Sequence, residues 1–483
     1  MDKIEKTDVI AAKIDRIHED IKNIHSRIEE NNKKNQTLME SIQKMSMAMQ
    51  VIAQHYGQII PIITSIQESS NISLRNGCES SRIRCIFLVH SIAMWNSLAD
   101  IYDRMRKDHR FEPLVLSTYT RHHGHGDFYG ENDVSSAFDR MGIPHLRLNM
   151  PNSYEGLSIL KSLRPDVIFR QQPWDCDVMP AFTTRELNFA RLCMVPYGVF
   201  VLQGDFIASN NGTNTTPSHL PQPNAYDQAY HRAAWRIFCE TEMSVRLFQS
   251  FQHSDPKKFI LSGCPKFDYL LRSKGHGVWP LPEPNGRSFR VIWAPHHSVY
   301  NNPLNFGVFN RIYADMLAWA RNSPDIQFVF KPHPALSSGV IASGIMNAQQ
   351  YEGYLRQWNA LENCAIETGE YGDLFDASDM MITDSLSFLT EYPLFDKPLV
   401  FFDSGKHAAF NAIGELAVSC TRRVYSFSEM KDAVIFYKNG GAWEFESERE
   451  QLKHILQPEQ VPASEIILDS IYNDMKDNNK LFE

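Results

Sequence analysis

The chain has 483 residues, enough for about three domains of ordinary size, and its 43% apolar and 22% charged content is that of a globular protein. A net charge of −9 excludes a strong nucleic-acid field, and no apolar run approaches the ~20 residues that a membrane span needs. The eight cysteines (78, 85, 176, 193, 239, 264, 364 and 420) are scattered without a C-x-x-C pair, which argues against a zinc ribbon or a disulfide framework and suits a reducing cytosol. The first ten residues, MDKIEKTDVI, lack the apolar core of a signal peptide, so the expected location is cytoplasmic.

Residues 10–52 are the clearest periodic segment. Ile10, Ile14, Ile17, Ile21, Ile24, Ile28, Leu38, Ile42, Met45, Met49 and Ile52 follow alternating steps of four and three, with Asn31 and Asn35 in the two middle places. That heptad pattern predicts a coiled coil about 64 Å long. Isoleucine at both core positions favours more than two strands, and the asparagines set register. The expected partner is a second copy of this chain, in a trimer or tetramer ahead of a dimer. The alternatives are docking to a membrane-bound partner and an amphipathic helix folded onto its own domain. Residues 1–56 are read as this arm. Residues 57–81, with the Ser- and Asn-rich stretch SSNISLRNGCESS, are read as a linker.

From residue 82 strands and helices alternate. Strands are expected at 83–90, 111–118, 145–149, 165–173, 192–201, 235–242 and 257–263, with helices between most of them. This predicts a parallel, doubly wound sheet over 82–272. Gly275, Gly277, Pro280, Pro282, Pro284 and Gly286 mark a linker at 273–288. A second series follows over 289–440, with strands expected at 289–297, 326–334, 363–368, 380–383, 398–402 and 424–427. Residues 441–483 add helices (443–456 and 464–478), expected to cross back over the first domain. Neither G-x-G-x-x-G nor the P-loop motif is present. Two nucleotide-binding-like halves about one cleft, preceded by a helical coiled coil, resemble the GT-B glycosyltransferase arrangement.

Four loops end strands of the second half: Pro295-His296-His297-Ser298, Lys331-Pro332-His333-Pro334, Glu367-Thr368-Gly369-Glu370 and Asp384-Ser385-Leu386-Ser387. In an open α/β sheet such ends share one crevice. The last loop opens one helix length before the next strand, and a helix start presents free N–H groups to an anion. The plainer alternative is that Asp384 and the serines cap that helix. Glu391, one turn after Ser387, is placed to accept bonds from ribose hydroxyls. Lysine, histidines and a helix start suit a departing diphosphate, which needs positive or N–H partners as charge develops. His333, between two prolines after a buried strand, is the strongest single candidate. His90 and Ser91, at the end of the first strand, face the same cleft from the acceptor side.

WAPHHS, SGCPKFDYL, FKPHP and ITDSLSFLTEYPLFDKPLVFF together resemble the CDP-glycerol glycerophosphotransferase family of teichoic-acid and capsule enzymes, over roughly residues 190–405. The resemblance implies a metal-independent GT-B transferase. It would move a polyol phosphate, or a sugar in relatives, from a cytidine-nucleotide donor to a glycan or its lipid-linked precursor. It places donor phosphate at His333, pyrophosphate at Ser387 and ribose at Glu391, with His296, His297, Lys331, Asp384 and Ser385 in the donor site. The family's first-domain Trp-His-Gly is Leu202-Gln203-Gly204 here, which leaves Asp205 or His90 as candidate base. The family's Ser-Ser pair is Leu386-Ser387, and the Thr-Trp-Arg after the histidine pair is absent. KPHP and TDSLS also resemble the non-hydrolysing UDP-GlcNAc 2-epimerases, without their Gly-Thr-Arg-Pro-Glu signature. A scaffold with a degenerate transferase body is the non-enzymatic alternative.

Two stretches imitate metal motifs. Arg121-His122-His123-Gly124-His125-Gly126-Asp127 is read as a surface loop, acceptor-binding or merely solvated. Asp175-Cys176-Asp177 is read as a chance D-x-D.

Overall fold

The computed structural model describes residues 2–76, 82–122, 125–203, 226–283, 286–299, 302, 304–457 and 461–480, with side chains of the first helix over 13–53. The chain divides into two units, Met1–Leu74 and Arg75–Glu483. The first is one helix, Asp2–Asn76. Its apolar stripe from Ile14 to Ile52 is about half exposed or more at every position; Ile14 is 49% and Met49 68% accessible. The helix runs unbroken through Asn31 and Asn35. It also runs through most of the stretch expected as a linker. The Ser/Asn run 69–76 holds neither glycine nor proline, and the described helix includes all of it, to Asn76.

The second unit opens with β1 (Ile83–Val89), β2 (Phe111–Ser117) and a hairpin, β3 (Thr120–His122) and β4 (His125–Tyr129). It continues with β5 (His145–Arg147), β6 (Val167–Arg170), β7 (Arg191–Met194), β8 (Arg236–Cys239) and β9 (Phe259–Leu261). A second series follows: β10 (Phe289–Ala294), β11 (Ile326–Phe330), β12 (Cys364–Ile366), β13 (Met380–Thr383), β14 (Leu399–Phe402) and β15 (Arg422–Val424). Seven strands form one parallel sheet in the order β5-β2-β1-β6-β7-β8-β9, and six form another in the order β12-β11-β10-β13-β14-β15. Alternate residues feed the two faces of each: Phe87 and Val89 pack on one side of the first sheet, Ile86 and Leu88 on the other. The near-continuous apolar runs of the sequence are strands covered on both faces. The expected α/β class with two doubly wound halves is the observed architecture.

Further expectations need correction. The stretch around Arg121 is a hairpin, not a free loop. Arg121 donates to Cys176 O (2.6 Å) and lies 4.8 Å over the Phe128 ring. His123 and Gly124 lie outside the described residues. The strand expected over 192–201 ends at Met194, because Pro196 offers no N–H to a ladder. The last strand lies at Arg422–Val424 rather than 424–427, because Ser426 caps the following helix by accepting from Glu429 N.

The final helices serve different sheets. Helix Glu446–Leu456 buries Leu452 and Leu456 with the second sheet's core. Helix Ala463–Lys480 buries Ile467, Leu468 and Ile471 in the first, where Arg236 holds Asp474 (2.5 Å). Among the described residues no helix is long and apolar enough to cross a membrane.

Candidate active site

The second sheet reverses its strand order between β10 and β13, and that reversal opens the crevice the sequence anticipates. The loop after β10 brings in His296 and His297, and the loop after β11 brings in His333. Their ring centroids lie 4.2 Å (His296 to His297), 4.3 Å (His297 to His333) and 5.4 Å (His296 to His333) apart. His333 N–H reaches Pro295 O at 3.1 Å, which locks the two loops together.

The partners of the rings decide what they offer. Ser298 Oγ accepts from Phe306 N (2.9 Å) and Gly307 N (3.2 Å), so its own proton goes to His296 Nδ1 at 2.8 Å. Ala335 N–H donates to His333 Nδ1 at 3.1 Å. Both rings therefore carry their proton on Nε2. Burial, then the neighbouring imidazoles, drives His296 well below its ordinary pKa, and burial with His297 takes His333 to about 3. The two rings are neutral N–H donors near pH 7. Ring nitrogens of all three histidines come within 4.8 Å of one another, close enough to meet on one ion. A metal-bound imidazole, however, donates its second N–H outward, and here the Nδ1 of His296 and His333 accepts instead. The set suits an anion better than a cation.

Asp384 is a brace rather than a ligand or a cap. It is 2% exposed; Oδ1 accepts from His296 N and Oδ2 from Val308 N, each at 2.6 Å. Burial outweighs those bonds and pushes its pKa up to about 7. Ser385 is buried, its N–H on Thr383 Oγ1 (3.0 Å), and Ser387 is exposed at the start of the following helix. That helix is short, Phe388–Glu391, and passes into a 3₁₀ turn, Tyr392–Phe395, at Pro393.

Glu391 is not open to a ribose. It is 1% exposed; Oε1 meets Lys266 Nζ at 2.7 Å and Oε2 accepts from Tyr371 Oη at 2.6 Å. Burial opposes the Lys266 ammonium, but Glu391 and Tyr371 hold its pKa above the usual lysine value. Lys331 is buried as well, donating to Gly369 O (2.9 Å) and lying 5.0 Å over the Tyr371 ring. Burial lowers it to about 8, with Glu367 and Glu391 opposing. Lys266 and Tyr371 were not singled out from the sequence. The available signal was Lys266 inside SGCPKFDYL.

On the first sheet His90 ends β1, 1% exposed. Neither ring nitrogen has a hydrogen-bond partner among the described residues, and burial with Arg170 lowers it to about 3. Asp205 lies outside the described residues. Gln203 is exposed, its N–H on Ala409 O. Asp175 is structural, since it holds Arg170 (2.7 Å) and Thr184 N (2.9 Å), and Asp177 accepts from Gln172 (3.1 Å).

Asp403, ending β14, gives a pH dependence. Burial alone would raise its pKa, but His407, Gly405 N–H and Arg423 hold it down at about 2. The folded value lies below the ordinary 3.8, so this group stabilises the fold above about pH 4, and that contribution disappears as pH falls toward 2. Asp403→Asn is expected to flatten the fall in melting temperature between about pH 5 and pH 3 relative to wild type. An unchanged slope would show that the pair adds nothing.

Two doubly wound parallel sheets, with the candidate site at the switch point of the second, are two Rossmann-like halves in the GT-B arrangement. Residues 209–407 match the family model described as CDP-Glycerol:Poly(glycerophosphate) glycerophosphotransferase, a likeness that supports a transferase of the glycerophosphotransferase type. Among solved structures, a variant of the wall teichoic acid polymerase TagF is similar at a TM-score of 0.54 and 14% identity, over 87% of this chain and 99% of that one. UDP-GlcNAc 2-epimerase from Neisseria meningitidis bound to UDP-GlcNAc is similar at 0.50 and 15%, over 81% and 100%. The S. aureus MnaA–UDP structure is similar at 0.51 and 12%, over 82% and 97%. At these identities the likeness is one of fold. A search of curated proteins returns no match to the chain.

Proposed function

We propose that this chain transfers a polyol phosphate, or in a close variant of the reaction a glycosyl group, from a CDP-linked donor to a cell-surface glycan or its lipid-linked precursor. The observation that carries the reading is the pair of neutral Nε2–H donors, His296 and His333, at the switch point, inside the stretch that matches the glycerophosphotransferase model. In polyol-phosphate transfer the acceptor oxygen forms a bond to the donor's outer phosphorus. The bridging P–O bond breaks, CMP departs with the electron pair, and the acceptor proton passes to a first-domain base. His296 and His333 meet the charge that develops on the departing phosphate. Ser387 and the N–H groups around it add to that environment. Lys331 acts from behind, through Gly369 and Tyr371. Asp205 is the better candidate base, because a buried His90 beside Arg170 is a poor proton acceptor. The mechanism asks for no metal ion.

A thermal-shift titration with CDP, CMP, UDP, GDP and ADP tests this. A ligand that binds only the folded state raises the melting temperature, and CDP near 100 times its Kd should add roughly 2 °C or more. Stabilisation by UDP alone would favour an epimerase-like activity, in keeping with the fold likeness to UDP-GlcNAc 2-epimerase. No response to any nucleotide would defeat the transferase.

We further propose that residues 10–52 join copies of this chain in a coiled coil, and that the enzyme works in the cytoplasm as a peripheral protein at the inner membrane face. The support is the heptad stripe with its exposed isoleucines. Removing residues 1–56 is expected to reduce the mass in solution to that of a monomer; an unchanged oligomer would place the interface elsewhere.

A further inference from the structure

On the transferase reading the site draws on both halves, which must then be held in register. Residues 409–411, in the loop between β14 and helix Ala412–Ser419, pair with residues 201–203 of the first half. Gln203 N–H donates to Ala409 O and Asn411 N–H to Val201 O, each at 2.9 Å, with an antiparallel bridge between Leu202 and Phe410. Asn411 uses its whole side chain here. Nδ2 donates to Phe200 O (2.7 Å) and Leu202 O (3.3 Å), while Oδ1 caps the helix by accepting from Ile413 N (3.0 Å) and Gly414 N (2.9 Å). The approach is so close that a Cβ on Gly414 would stand 2.2 Å from Val201 O. From Phe410 a run of edge-to-face rings leads to the histidines: Phe410 to Phe306 at 5.5 Å, then Phe306 to His296 at 5.9 Å.

We propose that residues 409–414 form a strap that sets the first-domain segment ending at Gln203 against the donor crevice, with Asn411 as the positioning residue. The strap couples two places where the chemistry is divided. One is the imidazole pair that receives the leaving phosphate. The other is the first-half segment 200–203 itself. Asn411 touches neither substrate. It acts by holding the carbonyls of Phe200 and Leu202 fixed, which an asparagine does because it donates and accepts at once. This role rests on the transferase reading for its consequence, though not for its geometry.

The test uses the full chain with Asn411→Ser, whose hydroxyl still caps the helix but is too short to reach Phe200 and Leu202. Gly414→Ala, which drives a methyl against Val201 O, is the second variant. In both, hydrogen exchange at residues 201–203 is expected to rise about tenfold or more, read by mass spectrometry. The kcat for transfer is expected to fall about tenfold or more while the Kd for CDP stays within about twofold, since only the alignment of the halves is lost. Exchange close to wild type in both variants overturns the strap, whatever the activity does. Loss of CDP affinity in step with kcat overturns it as well, because that pattern is general damage to the donor half. If the wild-type protein binds no nucleotide, the transferase reading fails by itself and the exchange measurement decides the strap.

Discussion

Alanine at His333 is expected to lower the kcat for transfer about 100- to 1000-fold, the usual consequence of removing one preorganised donor from a site of developing charge. The ring is well placed for this role: half-buried, neutral, with Nδ1 held by Ala335 N–H so that Nε2–H must be the donating side. His333→Gln retains an amide N–H and should recover part of the loss. Steady-state rates with a CDP-linked donor, together with melting curves to confirm folding, decide the matter. A folded alanine variant within about fivefold of wild type would remove His333 from the mechanism. His296→Ala should behave similarly and carries an additional structural cost, because the buried Ser298 hydroxyl loses the Nδ1 that accepts its proton.

Methionine at Lys266 should be the most damaging change to stability. Lys266 and Glu391 form a buried pair at 2.7 Å, with Tyr371 on the second carboxylate oxygen. Removing one partner leaves a charge in a place without water, which costs about 3–5 kcal/mol. For a domain of this size the melting temperature should fall by roughly 6–15 °C. The double variant Lys266→Met, Glu391→Leu should recover much of that loss, since an apolar pair of similar volume carries no desolvation penalty. A single variant that melts within about 2 °C of wild type would mean that water reaches the pair.

Much of this molecule can be read in its sequence. The βα alternation from residue 82 and the Gly/Pro break near 280 announce two doubly wound halves, and β13 falls on the residues expected, 380–383. His296 and His333 are recognisable because each follows a buried strand whose end must face the crevice. The hairpin at β3 and β4 escaped because a short exposed ribbon of histidines and glycines carries no apolar alternation. Glu391 does stand one helical turn after Ser387, its N–H on Ser387 O (3.2 Å), but its carboxylate turns inward to Lys266 and Tyr371, partners that local spacing does not reveal.

By itself the sequence determined the class of fold, the order of the strands and the loops that meet at the crevice, since these follow from local periodicity and from the topology of parallel sheets. Only the tertiary structure decided which polar side chains remain available. Asp384 and Glu391 have carboxylates that look alike in the sequence as ligands. Both are consumed by partners far away in the chain, His296 and Val308 for one, Lys266 and Tyr371 for the other. A buried charge must be satisfied by whatever the fold brings beside it, and that neighbourhood is not encoded in spacing along the chain.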